Sequence, residues 1–222
     1  VFTLLAEEVL SSGGIVIGAA FTEDYREVAH RVVEEVCDLS ALRGSKYIQS
    51  DTNGMFLQVK NELRAGRKVL FSGTPCQCEG LLSFLGEKDD NLIVVDIICH
   101  GVPSPKLWRK YVDYRQEHFA ERISGVRFRD KRSGWKSCEF VMQFDKDEFR
   151  CVNQDDPYMQ MFLQDICLRP SCHICKFKKF YRASDITMAD FWGIDEVLPE
   201  INDNKGVSLV MTHTEKGKQL LN

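Results

Sequence analysis

KVLFSGTPCQ, residues 68–77, and NLIVVDIICHG, residues 91–101, are the two stretches on which the fold turns. Val69-Leu70-Phe71 and Leu92–Ile98 are short, continuous apolar runs, as expected of strands covered on both faces. Between them Leu81, Leu82 and Leu85 mark a helix. Strand, helix and strand in this order make a right-handed crossover, so the two strands are expected to be parallel neighbours with helices on the sheet. Ser104-Pro105 then opens another helix, with Pro in its first turn and Leu107, Tyr111 and Tyr114 along one stripe.

Upstream, Phe2–Ser12 is helical and stops at Gly13-Gly14, a pair suited to a left-handed cap. Gly14–Phe21 reads as a buried strand and Glu27–Val36 as a weaker one. Leu39–Ser50, which contains LRGSKYIQS (42–50), is polar and irregular. Gly54–Ala65 is helical, with Phe56, Val59 and Leu63 on one face. Downstream the texture changes. Ile123–Arg129 and Cys138–Phe144 are expected to form an antiparallel unit, Asp156–Gln164 a short helix, and Cys167–Tyr181 a loop rich in cysteine and lysine. Ile186–Ala189 and Val207–Met211 are further strands, and Thr214–Leu221 a final helix. The expected class is α/β: a mixed, partly parallel sheet flanked by helices, with an antiparallel unit and a cysteine-rich cluster-binding loop, all in one domain over 1–222. The first residues read as the middle of a helix without an initiator Met or a cap, which suggests a domain excised from a longer chain.

A net charge of -4 offers no general attraction for nucleic acid. No apolar run approaches the ~18 residues that cross a bilayer, and no export signal precedes the first helix, so a cytoplasmic protein without membrane insertion is expected. Nine cysteines in such a compartment point to metal binding or redox chemistry.

Three of the nine, Cys167-x4-Cys172-x2-Cys175, lie close enough in sequence for their thiolates to converge on one centre. Zinc competes with iron here, because His173 lies inside the loop and Cys3His sites exist. The spacing also matches plant-type 2Fe–2S proteins, whose fourth cysteine lies downstream, whereas no cysteine follows Cys175. A fourth thiolate must come from upstream. Cys76 and Cys99 each stand just past the carboxyl end of an expected parallel strand, the edge where open α/β sheets bind ligands. Cys76 also opens a helix, whose dipole favours a thiolate, so it is the first choice and Cys99 the second. Cys37, Cys138 and Cys151 read as structural, and Cys78 receives no role.

LRGSKYIQS, VLFSGTPCQ (69–77), DIICHGVPSP (96–105) and CLRPSCHICKFKKFYRASDITMADFWGI (167–194) together resemble the coenzyme F420 hydrogenase/dehydrogenase beta-subunit family, in the expected order along nearly the whole chain. The resemblance implies an oxidoreductase that binds FAD and a 4Fe–4S cluster, rather than zinc or 2Fe–2S. Electrons would pass between these groups and an electron-carrier protein or a small redox substrate such as the deazaflavin coenzyme. It also implies an N-terminal ferredoxin-like domain in complete members. For the flavin, Gly73-Thr74-Pro75 with Gln77 is a candidate cradle at a strand-to-helix turn, where the free amides suit a phosphate. Ser45, Lys46, Tyr47, Gln49 and Ser50 supply a cation, an aromatic face and polar groups; the plainer reading is a solvated loop with Tyr47 packed down. His100-Gly101 either touches the flavin or caps the strand. No GxGxxG is present, so a Rossmann-type FAD site is not expected. Two basic clusters, Arg127–Arg132 and Lys176–Arg182, are either solvated faces or, for the second, a balance for cluster charge or a docking face for an acidic carrier. Asp190-Phe191-Trp192-Gly193 either flanks a planar cofactor or packs the core. The competing function is a zinc-stabilised, non-catalytic binding module held by Cys167, Cys172, Cys175 and His173.

Overall fold

A computed structural model describes residues 1–221. The apolar runs form the centre of a six-stranded sheet. Its strands are β1 (Ile15–Phe21), β2 (Val28–Val33), β3 (Val69–Gly73), β4 (Leu92–Ile97), β8 (Ile186–Asp190) and β9 (Ser208–Thr212), in the spatial order β2-β1-β3-β4-β8-β9. β1, β3, β4 and β8 run parallel, with Val69 opposite Leu92 as the crossover requires, and the edge strands β2 and β9 are antiparallel. The expected α/β class, with a mixed sheet, is what the chain adopts.

Alternation along these strands sends side chains to two faces. Ile15, Ile17, Val69, Phe71, Leu92 and Val94 pack against α2 (Met55–Arg64) and α3 (Pro75–Leu85) through Val59, Leu63 and Leu81. Val16, Ala20, Leu70, Ile93 and Val95 pack instead on α1 (Phe2–Ser11) and on a 3-10 helix, Val36–Leu42. That helix begins at the end of the expected weak strand and runs into the region expected to be irregular; Leu39 and Leu42 give it an inward face.

A second sheet, β5 (Ile123–Asp130), β6 (Glu139–Phe144) and β7 (Glu148–Val152), is antiparallel in the order β5-β6-β7. β7 was not expected as a strand, since only Phe149 and Cys151 give it a partly apolar face. This sheet, α4 (Pro105–Phe119) and α5 (Pro157–Leu163) enclose a third core around Trp108, Tyr111, Phe128, Phe140 and Tyr158. Each large side chain buried there contributes about 1.5–3 kcal/mol. Short helices α6 (Pro170–His173), α7 (Ile194–Val197) and α8 (Glu215–Gln219) complete the chain. Among the described residues no helix is long and apolar enough to cross a membrane.

Candidate functional site

The carboxyl ends of β3 and β4 leave the sheet at one edge, and three loops meet there. Thr74 caps α3: its backbone N–H donates to Gln77 Oε1 at 3.0 Å, closing a capping box. The other end of the same amide reaches back, with Gln77 Nε2 donating to Ser50 Oγ at 2.9 Å. The turn after β3 is thereby tied to the 42–50 loop. Gln49 N donates to Pro103 O at 3.2 Å, which ties the same loop to the segment after β4. Ser45 is exposed on this loop. Tyr47 is packed down: its ring stacks on Phe162 at 4.5 Å, and its carbonyl accepts from the Tyr158 hydroxyl at 2.8 Å. Lys46 turns inward and donates to the carbonyls of Leu42, Arg43 and Gly44 at the end of the 3-10 helix. Burial pushes its ammonium down to about 8.

His30, on β2, sits at the same edge and was not anticipated. Its Nε2 lies 3.0 Å from Ser72 O, its ring stacks on Phe71, and buried Nδ1 has no partner among the described residues. Burial lowers its pKa, so the neutral ring is favoured. A half-buried strand pattern hides such a residue, because a histidine facing the core reads like any inward position.

The cysteine-rich loop lies across the end of β4, pinned on both sides of Cys99. On one side Leu168 bridges Pro103, and Arg169 N donates to Val102 O at 3.1 Å. On the other, Arg182 Nη1 donates to Ile97 O at 2.7 Å and pairs with Asp96 at 3.2 Å. The span between these pins carries Cys172 and Cys175. Burial pushes the Cys99 thiol up to about 11, and negative charge on Cys76, Cys172 or Cys175 would push it the same way. Cys76, Cys172 and Cys175 thus each lie within electrostatic reach of Cys99. Cys167 precedes the first pin and packs, half-buried, against the aromatic core beside Tyr158. Cys78 faces the sheet, 1% exposed, with its thiol directed at Val95 O. Exposed His173 ends α6. Among the described residues no three Cys, His, Asp or Glu side chains stand close enough to grip a single metal ion.

Gly101 lets this crossing happen. It has φ +149°, a conformation L side chains rarely adopt, and an added Cβ would sit 2.6 Å from Leu168 Cδ1. Gly101→Ala is expected to cost about 1–3 kcal/mol and to lift Leu168 off the segment it covers. Limited proteolysis should then cut within 169–181 faster than in the unchanged protein, while the six-stranded sheet stays protected. The neighbouring His100 Nε2 lies 2.6 Å from Asp165 Oδ1, with its ring 4.8 Å from Phe162. Its side chain thus closes the turn after β4 against α5.

Residues 66–222, which hold β3, β4, all four gathered thiols and both pins, match the family model for the C terminus of the coenzyme F420 hydrogenase/dehydrogenase beta subunit. The chain belongs to this family. Among solved structures, a chain of the F420-reducing [NiFe] hydrogenase complex from Methanosarcina barkeri is similar, at 16% identity and a TM-score of 0.62, with 100% of this chain and 70% of that chain covered. At that identity the likeness is one of fold. No curated protein matches the chain.

In this member of the beta-subunit family the two basic clusters have different fates. Arg127 and Arg132 are spent on Asp130 and Glu148, and Arg129 on Asp190. Lys176, Lys178 and Lys179, by contrast, make no ion pair among the described residues and stand exposed beside the thiols. Trp192 stacks on buried Trp135 at 4.6 Å with the Arg129 guanidinium over its ring, yet 59% of it is exposed. A hollow of about 500 Å³ lined by Thr22, Asp24, Arg26, Glu27, Arg109 and Arg122 lies elsewhere. Its Arg26 and Arg109 are already paired with Asp113 and Glu27, so the chemistry-bearing side chains direct attention to the sheet edge instead.

Proposed function

We propose that this chain is the flavin- and iron–sulfur-binding part of a cytoplasmic oxidoreductase. It would pass electrons between FAD, a 4Fe–4S cluster and a ferredoxin-like domain, an electron-carrier protein or a small redox substrate such as the deazaflavin coenzyme. The reading is carried by the loop pinned on both sides of Cys99, which gathers Cys76, Cys99, Cys172 and Cys175 at the carboxyl edge of the sheet. Family membership supports it, and nine free thiols suit a reducing compartment.

The donor set fits the cluster. Four thiols, three of them within electrostatic reach of the fourth, Cys99, suit a group that brings its own bridging sulfides. Cys76, Cys99, Cys172 and Cys175 would hold it, with Cys76 at the N-terminus of α3, where free amides favour a thiolate. Lys176, Lys178 and Lys179 would offset thiolate charge and present a positive face to an acidic carrier. For the flavin, Gly73-Thr74-Pro75 is the candidate turn at the same helix start, where Gly73 lets Gln77 and Phe71 pack close to the backbone, since a Cβ there would crowd both. Lys46, Ser50 and His30 border that turn. Their bonds to Gln77 and to backbone carbonyls hold the turn's shape, and the unpartnered His30 Nδ1 offers a further polar contact. When bound, FAD supplies two-electron chemistry and the cluster one-electron transfer.

Iron, sulfide, zinc and flavin counted in one anaerobic preparation of the full chain test this. About four irons and four sulfides per chain, with flavin, are expected for a 4Fe–4S flavoprotein. Stoichiometric zinc without sulfide or flavin would instead establish a zinc-stabilised binding module and overturn the proposal.

A further inference from the structure

We propose that Asp96 and Arg182 are positioning residues that tune the reduction potential of the group held by Cys76, Cys99, Cys172 and Cys175, through opposite charges fixed beside those thiols. The proposal rests on the cluster reading above.

Asp96 is the fifth residue of β4 and is 1% exposed. One of its oxygens takes the Thr187 hydroxyl, and Thr187 Oγ1 in turn lies 2.8 Å from His213 Nε2. The other oxygen stands 3.2 Å from Arg182 Nη1, on a side chain only 10% exposed. Arg182 also donates to Ile97 O and, through Nε, to Lys179 O at 3.2 Å. Arg182 thereby ties Ile97, two residues before Cys99, to Lys179, four residues after Cys175, and holds Asp96, three residues before Cys99, in the same place.

A tie alone would not need these charges. Arg182 already holds two carbonyls, and a neutral amide could do as much, whereas burying an ion pair carries a desolvation cost that packing alone would avoid. Charges so far from water are weakly screened, so each acts on a neighbouring redox group. Reduction adds one electron, and hence one negative charge, without making or breaking a bond at these side chains. Arg182 favours that added charge and Asp96 opposes it.

The test is a mediator-poised redox titration, with dithionite as the electron source, of anaerobically reconstituted full-length chain followed by electron paramagnetic resonance. Arg182→Gln is expected to lower the midpoint potential and Asp96→Asn to raise it. The double variant should return close to the unchanged protein, and Arg182→Lys, which keeps the charge, should shift little. Shifts in the same direction in both single variants would overturn the proposal. So would equal loss of iron from both with no change of potential in what remains, since that is how a purely structural tie behaves. An unchanged chain that takes up no iron and sulfide would overturn the cluster reading and this proposal with it; a filled one whose variants shift together overturns this proposal alone.

Discussion

Serine in place of Cys99 is expected to remove nearly all iron and sulfide from the chain, whereas serine in place of Cys167 leaves both close to full. The order is the reverse of what spacing suggests, since Cys167 belongs to the compact Cys-x4-Cys-x2-Cys run and Cys99 stands far from it in sequence. Geometry argues otherwise. Leu168 is bonded across to Pro103, so Cys167 lies on the aromatic side of that bridge, and its thiol is raised chiefly by burial. Cys172 and Cys175 lie beyond the bridge, on the span that crosses Cys99. A hydroxyl is a poor substitute for a soft thiolate on iron, so losing one of four ligands costs most of the grip. Serine variants of Cys76, Cys99, Cys167, Cys172 and Cys175, reconstituted anaerobically and assayed for iron and sulfide, decide the set. Full iron in Cys99→Ser together with an empty Cys167→Ser would restore the grouping read from spacing. Thermal unfolding without metal should be nearly the same in all five, since none of these sulfurs carries the six-stranded core.

The difference between the two cysteines shows what a sequence can carry. Val69–Phe71 and Leu92–Ile97 were legible as parallel neighbours because their burial on both faces is written in continuous apolar runs, and one amphipathic helix separates them. The same holds for the thiol-rich loop as a unit. Which thiols of that loop face one another depends on where it is pinned, and the pins are contacts between residues distant in the chain: Leu168 with Pro103, Arg182 with Asp96. No periodicity encodes them. Arg182 reads as the end of a basic run, and Asp96 sits unremarked inside a stretch read as apolar, so neither announces the other. Tyr47, Ser50 and Gln77 were legible as residents of the site edge, but their internal bonds, which stiffen the turn, come from tertiary packing. His30 was hidden for the opposite reason, since an inward polar residue on a weak strand carries no local mark.

Asp156→Ala is expected to destabilise the protein by about 3–5 kcal/mol, the usual cost of removing one partner of a buried ion pair. Asp156 is 0% exposed and carries several bonds at once. As N-cap of α5 it accepts the Met159 amide at 3.0 Å. Its other oxygen takes the Tyr111 hydroxyl and lies 2.9 Å from Arg115 Nη2, while Arg115 Nε donates to the same hydroxyl at 2.9 Å. Burial first, and then the Asp156 charge, push the Tyr111 hydroxyl far above its ordinary range, so it stays a donor. Alanine would strand the Arg115 charge, 10% exposed and lying over the Phe149 ring, in an aromatic core with no carboxylate to answer it. The damage also reaches the site edge by a definite route. α5 holds Phe162, which stacks on Tyr47, and Tyr158, which bonds the Tyr47 carbonyl. Urea unfolding should therefore show the lower midpoint, and hydrogen exchange should show added opening in α5 and the 45–50 loop before the six-stranded sheet. Asp156→Asn has a single acceptor oxygen: with Oδ1 on the Met159 amide, its Nδ2 faces the Tyr111 hydroxyl and the Arg115 guanidinium, both donors, so it recovers the cap but not the pair and should cost only somewhat less. Equal losses from the two substitutions would mean that the oxygen facing Tyr111 and Arg115, rather than the cap, holds α5 against the second sheet.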